Sequence, residues 1–195
     1  MVRRFTGGGT VIVDENTLFG TFIMNGEAVD CPPYPREIMA WSSTIYDPVF
    51  SNGKQNQPFG LSEHDYTLGD VKIGGNAQAI IKKRWCHHTS FLWSFERERM
   101  KYLLMPPEKK RPAYRRDRDH NSFLTKLQDH LESIDELEKR LSSALHANFE
   151  VEELDVQGGT AEDVALELGW DPSELNDGKT VRTRYVRIED YLEKG

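Results

Sequence analysis

The order of apolar and polar positions predicts strands in the first half of the chain and helices in the second. β-Branched and alternating runs predict strands at Val11–Val13 and Leu18–Met24, joined by the turn-like sequence DENT. Further strand-forming stretches are Asp65–Leu68, Val71–Ile73 and Ala77–Trp93, the last with a bend. Strands first and helices later are typical of an α+β domain.

Three helices are predicted from apolar residues at helical spacing. The first begins near Pro35. Its apolar face comprises Ile38, Met39, Trp41 and Ile45. The second follows a capping box in which Ser133 and Glu136 are three residues apart. The third is capped by Thr160 and ended by Gly169.

Composition changes along the chain and indicates a domain boundary. A basic, proline-punctuated connector runs from Met105 to His120, whereas acidic residues dominate from Asp129 onward. Phe149–Val156 alternates like a strand. We expect one domain over residues 1–156 and a small helical, acidic extension over residues 157–195.

The totals exclude several classes of protein. The 195 residues carry a net charge of −7 without a nucleic-acid-binding motif, so no nucleic-acid partner is expected. No apolar run reaches the roughly 18–20 residues that a bilayer span needs, so no membrane partner is expected. Because the chain has only two cysteines, Cys31 and Cys86, we expect no disulfide framework. We therefore expect a reducing, intracellular location, and the sequence does not distinguish cytoplasm from mitochondrion.

Two glycine-rich stretches lie beside positively charged residues. Arg3 and Arg4 precede Gly7, Gly8 and Gly9 in RRFTGGGTVIV, and Lys72 precedes Gly74 and Gly75 in GDVKIGGNAQAI. Successive backbone N–H groups in such turns bind anions, and glycine lets a ligand approach the backbone closely. A plain turn and a hairpin are the alternatives. If the two stretches converge, they form a pocket for a negatively charged ligand.

The stretch WCHHTSFLW contains neighbouring histidines. In a strand, adjacent side chains point to opposite faces, so His87 and His88 cannot both face one pocket. The pair has no nearby pattern of further metal ligands, so no metal site is predicted.

Together the three stretches resemble the lipoate–protein ligase A family of the biotin/lipoate ligase group. The family pattern R-R-x-[ST]-G-G-G, K-[IV]-x-G-x-A-Q and H-H-x-[ST]-x-L is matched by Arg3–Gly9, Lys72–Gln78 and His87–Leu92. The resemblance covers roughly Arg3 to Leu103. It implies a mixed β-sheet flanked by helices. Family members have several strands and a helix before the first motif, which this sequence lacks, so it reads as truncated at the N-terminus.

The resemblance also implies an activity and its participants. Family members use ATP and lipoate to form an acyl-AMP, with Mg²⁺, and pass the acyl group to a lysine of a lipoyl domain. Lys72 would be catalytic, contacting the acyl carbonyl and the phosphate, while Arg4 would hold the phosphate and Asp65 would assist Mg²⁺ or the adenylate. The remaining implied cofactor-binding residues are Gly7, Gly8, Gly9, Thr10, Val11, Ile12, Gly75 and His88.

Three alternatives remain open at this point. The chain is a ligase, an octanoyl or lipoyl transferase that uses no ATP, or an inactive homologue that serves as a binding module. Some transferases use a cysteine nucleophile, and Cys86 lies next to His87, but we predict no covalent acyl-Cys86. The acyl group (lipoate, octanoate or biotin) is not specified. The basic residues of Lys109–Arg118 are a candidate docking surface for an acidic lipoyl domain.

Overall fold

The computed structural model describes residues 2–3, 9–51, 53–54, 57–82, 84–152, 163, 166 and 184–185. Residues 6–149 form one compact unit, and residues 1–5 with 150–195 form a second. Among the described residues, no helix is both long and apolar enough to cross a bilayer. The strands are β1 (Val2–Arg3), β2 (Thr17–Asn25), β3 (Phe59–Ser62), β4 (Asp65–Leu68), β5 (Val71–Lys72), β6 (Gly74–Ile81), β7 (Arg84–Leu92) and β8 (Arg184–Tyr185).

The second unit contains a two-stranded antiparallel ladder in which β1 pairs with β8. Asp163 and Leu166 of this unit are helical, as the periodicity predicts. The ends of that predicted helix, Thr160 and Gly169, and the predicted boundary after Val156 lie outside the described residues.

The larger unit is built on a three-stranded sheet in the order β2-β7-β6, with both pairings antiparallel. The predicted bend in Ala77–Trp93 is the turn between β6 and β7, where Lys82 adopts a left-handed φ of 53°. A second antiparallel sheet has the order β3-β4-β5. Where the resemblance implied a mixed sheet, the parallel component within the described residues is one isolated bridge between Lys72 and Leu124.

Helices cover the sheets and bury the core. Helix α1 (Pro35–Phe50) begins with proline in its first turn, as predicted, and α2 is the short segment His120–Phe123. Helix α3 (Ile134–His146) begins at the predicted cap, where Ser133 Oγ accepts a hydrogen bond from the Glu136 backbone N–H at 3.1 Å. The 3₁₀ turns are Arg97–Tyr102, Glu108–Lys110, Ala113–Arg115 and Leu127–Asp129.

The main core lies between α1, α3 and the two sheets. Its centre is aromatic, since the Tyr46 ring lies edge-on to the rings of Tyr66 and Phe91, with centroids 5.1 and 5.2 Å apart. A smaller cluster of Cys31, Ile38 and Trp85 lies beside it. The core members are Met39, Ile45, Tyr46, Val49, Phe50, Tyr66, Leu68, Ile73, Phe91, Leu127, Leu131, Leu137 and Ala144.

Two predicted strands are wrong in the described residues. Val11–Val13 has irregular backbone, because β propensity forms a strand only where a neighbouring strand offers a ladder. The described residues of Phe149–Val156, which end at Glu152, are also irregular. In addition, the sequence patterns did not predict β3, in which Phe59 and Gly60 pair with β4.

Candidate functional site

The β4–β5 hairpin carries the most direct juxtaposition of predicted site residues. Lys72 Nζ lies 2.5 Å from Asp65 Oδ1, and the two side chains are 21% and 9% exposed. The hairpin fixes their spacing, because Lys72 pairs with Thr67 across the ladder while Asp65 begins β4. On its other side, the Lys72 carbonyl accepts a hydrogen bond from the Thr125 N–H at 3.0 Å. The lysine is therefore held at both its backbone and its ammonium group.

Tyr114 of the basic connector completes this cluster. Its hydroxyl donates to Asp65 Oδ2 at 2.9 Å, so both carboxylate oxygens of Asp65 are hydrogen-bonded. Burial first, and then the Asp65 charge, raise the pKa of Tyr114, so the hydroxyl stays protonated and donates. Sequence reasoning missed Tyr114, which is 49 residues from Asp65 and lies in a segment without periodicity.

The connector is attached to the same hairpin by further contacts. Glu63 Oε1, in the β3–β4 turn, accepts from the backbone N–H groups of Ala113 and Tyr114 at 2.5 and 3.4 Å. Arg118 reaches Asp70 in the β4–β5 turn at 3.2 Å and also donates to the Tyr114 carbonyl at 2.7 Å. These bonds fix the connector against both ends of β4.

Two arginines of this connector are turned inward. Arg115 is 4% exposed and its guanidinium carbon lies 4.5 Å from the centroid of the Phe123 ring, with Arg118 at 5.4 Å from the same ring. Burial first, and then the charge of Arg111, lower the pKa of Arg115. Part of the basic surface expected for an acidic partner therefore serves internal packing, whereas Lys109 is exposed.

The first glycine stretch is described only from its last glycine. Arg4, Gly7 and Gly8 lie outside the described residues, whereas Gly9 and Thr10 are exposed and Val11 and Ile12 are half-buried.

Val11 brings this segment to the second glycine stretch. A Cβ added to Gly75 would lie 3.2 Å from Val11 Cγ1 and 3.3 Å from Ser90 Oγ. The segment that follows the first glycine stretch therefore packs against β6. This strand comes directly after β5, which contains Lys72. Asp14 anchors its far end, because its Oδ2 pairs with Arg99 at 2.9 Å.

The two histidines face opposite sides of β7, as predicted. His88 lies on the outer side, where Nδ1 is 3.0 Å from Thr21 Oγ1 and the ring stacks on Phe19 at 4.8 Å. His87 is fully buried on the inner side. Only one of them, His88, is therefore positioned to meet a ligand on the outer face of the sheet.

The inner histidine belongs to a buried polar network. His87 Nε2 is 2.8 Å from Tyr66 Oη and 3.2 Å from Thr89 Oγ1, and Tyr66 Oη is 2.6 Å from Ser42 Oγ. Gln78 Nε2 donates to His87 Nδ1 at 3.2 Å, so the ring proton sits on Nε2. Burial first, and then His88, lower the pKa of His87 to about 4. Three motif residues, Gln78, His87 and Thr89, thus bond to one another within this network.

Comparison with known proteins decides the family. Residues 1–146 match the model of the lipoyl protein ligase A/B catalytic domain. The chain belongs to this family. The resemblance carried by the three motifs is confirmed, and so is the α+β class.

Individual relatives agree with this assignment. Inactive lipoate–protein ligase 2 of Plasmodium falciparum (isolate 3D7) is 31% identical over an alignment of 153 positions, and the match covers 64% of this chain and 40% of that protein. A lipoate-protein ligase A structure bound with ATP has a TM-score of 0.56 at 22% identity, covering 91% of this chain and 68% of its own. The bipartite lipoate protein ligase of Thermoplasma acidophilum, described with its E2 lipoyl domain, has a TM-score of 0.57 at 23% identity, covering 91% and 66%. The structures show the fold, and this chain spans two fifths of the curated relative's length.

In this ligase-family chain, Cys86 is a half-buried free thiol. Burial raises the pKa of the Cys86 thiol, which lowers the thiolate fraction. Because Cys86 and His87 are adjacent on β7, they point to opposite faces, so His87 cannot act as the base for that thiol.

The described side chains of this ligase-family domain include no group of three or more His, Cys, Asp or Glu residues that could hold a metal ion. Both oxygens of Asp65 accept hydrogen bonds from other side chains, Oδ1 from Lys72 and Oδ2 from Tyr114.

Proposed function

We propose that this ligase-family domain binds an acyl-adenylate at Lys72 and catalyses the ATP-dependent activation of lipoate and its transfer to a lysine of a lipoyl domain. The observation that carries the proposal is the Lys72 ammonium group held against the nearly buried Asp65 carboxylate. This ion pair joins two predicted site residues directly.

The ammonium group suits the chemistry of a mixed anhydride. An ammonium has three N–H donors, and one of those on Lys72 bonds to Asp65. The two that remain suit an acyl carbonyl oxygen and a phosphate oxygen. Negative charge develops on both oxygens when an amine attacks the carbonyl and AMP leaves, and a donor fixed in advance stabilises that charge. The attacking amine belongs to the acceptor lysine, so the domain needs no nucleophile of its own.

The neighbouring segments supply the rest of the proposed site. The Val11 segment passes over Gly75, which supports the convergence of the two glycine stretches beside the lysine. We assign Gly9, Thr10, Val11 and Ile12 to the nucleotide, with Arg4, Gly7 and Gly8 preceding them in sequence. Mg²⁺ in this proposal is carried by the nucleotide phosphates, since this ion keeps several waters and needs few protein ligands.

One alternative has an observation in its favour. The curated relative is named an inactive ligase, which favours a binding module that has lost the activation step. The transferase alternative is weaker for two reasons. Burial raises the pKa of the Cys86 thiol and so lowers its thiolate fraction, and His87 cannot act as its base.

Two assays separate these possibilities. The first supplies ATP with lipoate or octanoate and measures pyrophosphate release. The second supplies preformed lipoyl-AMP and an apo-lipoyl domain and follows acylation by intact mass. We expect activity in both, reduced about 10²–10³-fold by Lys72→Ala. The matched control is Lys54→Ala, which removes a surface lysine paired with Glu132 and leaves both rates unchanged.

The outcomes are distinct. If the folded wild-type protein releases no pyrophosphate but acylates the lipoyl domain from lipoyl-AMP, it has lost the activation step and kept the transfer step. Failure in both assays contradicts the proposal and leaves the binding module. A stable acyl adduct on Cys86 with an octanoyl carrier as donor identifies the transferase instead.

A further inference from the structure

We propose that Tyr114 is a positioning residue for Lys72, acting through Asp65. The proposal rests on the proposed role of Lys72, but its main test does not require activity. Tyr114 Oη, the Asp65 carboxylate and Lys72 Nζ form one chain of hydrogen bonds, with distances of 2.9 and 2.5 Å. The tyrosine therefore reaches the lysine without touching it.

The geometry of Asp65 explains why the tyrosine matters. A carboxylate bonded through one oxygen only can still rotate about its χ2 torsion, which is broad. The hydroxyl of Tyr114 takes the second oxygen and removes this freedom, so the first oxygen presents a fixed acceptor to Lys72. Hydrogen bonds to an ionised acceptor are about twice as strong as neutral ones. Burial of Asp65, which is 6% exposed, leaves little water to replace either bond.

Tyr114 is itself fixed at three points. Its N–H donates to Glu63, its carbonyl accepts from Arg118, and its ring packs on Phe123 with centroids 5.2 Å apart. Glu63 adopts a left-handed φ of 56°, which the turn between β3 and β4 requires. This anchoring gives the hydroxyl a defined position relative to Asp65.

The function of this chain of bonds is to hold the ammonium group where its two other N–H donors can meet a ligand. Displacement of a positioned group by about 1 Å can cost about 10²-fold in rate. The consequence for the reaction is in kcat, because Tyr114 acts on Lys72 through Asp65 and the Lys72 donors meet the charge that develops in the transition state.

Tyr114→Phe tests the inference, because it removes the hydroxyl alone. The matched control is Tyr102→Phe, on the exposed face of a 3₁₀ turn. The measurement is the rate of lysine acetylation by an amine-reactive ester, read by mass spectrometry at Lys72, Lys54 and Lys126. We expect Lys72 to be labelled about tenfold faster in Tyr114→Phe, the equivalent of one charge-assisted hydrogen bond, with Lys54 and Lys126 unchanged.

A second variant shows whether the effect passes through Asp65. In an Asp65→Asn background, Tyr114→Phe should add no further change at Lys72. Equal Lys72 labelling in Tyr114→Phe and wild type overturns the inference, as does an additive effect in the Asp65→Asn background. Faster labelling at all three lysines indicates loss of structure and also overturns it.

Activity provides an independent arm. If the ligase assay is positive, Tyr114→Phe should lower kcat about tenfold with KM for ATP and lipoate within about twofold. If wild type has no activity, the proposed function fails while the labelling result still stands. A rise in KM at constant kcat indicates that Tyr114 contributes to uniform binding, and contradicts the positioning role.

Discussion

Asp65 Oδ1 lies 2.5 Å from Lys72 Nζ in a site where the two side chains are 9% and 21% exposed. Exposed ion pairs contribute little to stability, whereas removing one partner of a buried pair leaves the other charge poorly solvated. We therefore expect Asp65→Asn and Lys72→Met each to lower the free energy of unfolding, and their effects to be non-additive. A double-mutant cycle by urea unfolding should give a coupling of about 1–3 kcal/mol.

The control for this cycle is Lys54 with Glu132, whose side chains are 38% and 72% exposed. Its coupling should be below about 0.5 kcal/mol. Equal coupling in the two pairs would mean that Lys72 and Asp65 are as well solvated as a surface pair.

The buried histidine predicts a pH dependence of stability. The pKa of His87 is lowered to about 4, against 6.5 for an ordinary histidine, because burial and then His88 disfavour its charged form. Between these two pH values the unfolded chain binds more protons than the folded one, so stability falls as the pH is lowered from about 6.5 to about 4. The largest loss of unfolding free energy from this titration is roughly 3 kcal/mol, at about 1.4 kcal/mol per pKa unit.

His87→Gln tests this assignment, with His64→Gln at an exposed position as the control. The comparison with wild type matters because burial also lowers the pKa values of His120 and His130, which contribute to the same acid loss. We expect His87→Gln to be less stable than wild type at pH 7 and to lose less stability on going to pH 4.5. Parallel stability–pH curves for all three proteins would show that His87 does not titrate in this range.

Local signals in the sequence predicted several of the regular elements. Alternation fixed β2 and β7, helical spacing with an early proline fixed α1, and Ser133 with Glu136 fixed the start of α3. The strand predicted at Val11–Val13 is wrong because a strand needs a hydrogen-bonded neighbour, and no local pattern indicates whether one is present.

The candidate site was predictable only in part, for a related reason. Lys72 and Asp65 were predicted from the family resemblance, Lys72 because it begins the motif at Lys72–Gln78. Tyr114 was missed because its role depends on a hydrogen bond across 49 residues, from a connector with no periodicity. His87 and Gln78 are both motif residues, and it is the full burial of His87 that assigns it to the core and not to the ligand site.

The N-terminal cap of α3 should contribute measurably to stability. Ser133 Oγ accepts from the Glu136 N–H, and Glu136 Oε2 accepts from the Glu132 N–H at 2.6 Å, so two backbone donors are satisfied at the helix start. Ser133→Ala should cost about 1 kcal/mol in urea unfolding. Ser143→Ala, at an exposed position within the same helix, should be neutral or slightly stabilising, because alanine has the higher helix propensity. A similar loss for both serines would argue against a specific cap.

Substitution by alanine should cost more stability at Gly74 than at the adjacent Gly75 of β6. A Cβ on Gly74 would lie 2.4 Å from the Ser90 carbonyl oxygen, a backbone atom that cannot move without separating β6 from β7. A Cβ on Gly75 would meet only side-chain atoms, Val11 Cγ1 at 3.2 Å and Ser90 Oγ at 3.3 Å, which can shift by a few tenths of an ångström. We expect Gly74→Ala to cost about 2 kcal/mol or more in urea unfolding, and Gly75→Ala less than about 1 kcal/mol.

ATP affinity provides a second test of Gly75. If the Val11 segment contacts the nucleotide, its displacement by Gly75→Ala should weaken ATP binding, measured by isothermal titration, while the urea midpoint barely moves. Unchanged ATP affinity in a folded Gly75→Ala protein would place the nucleotide away from the point where the two glycine stretches meet, and the assignment of Val11 and Gly75 to the site would have to be withdrawn.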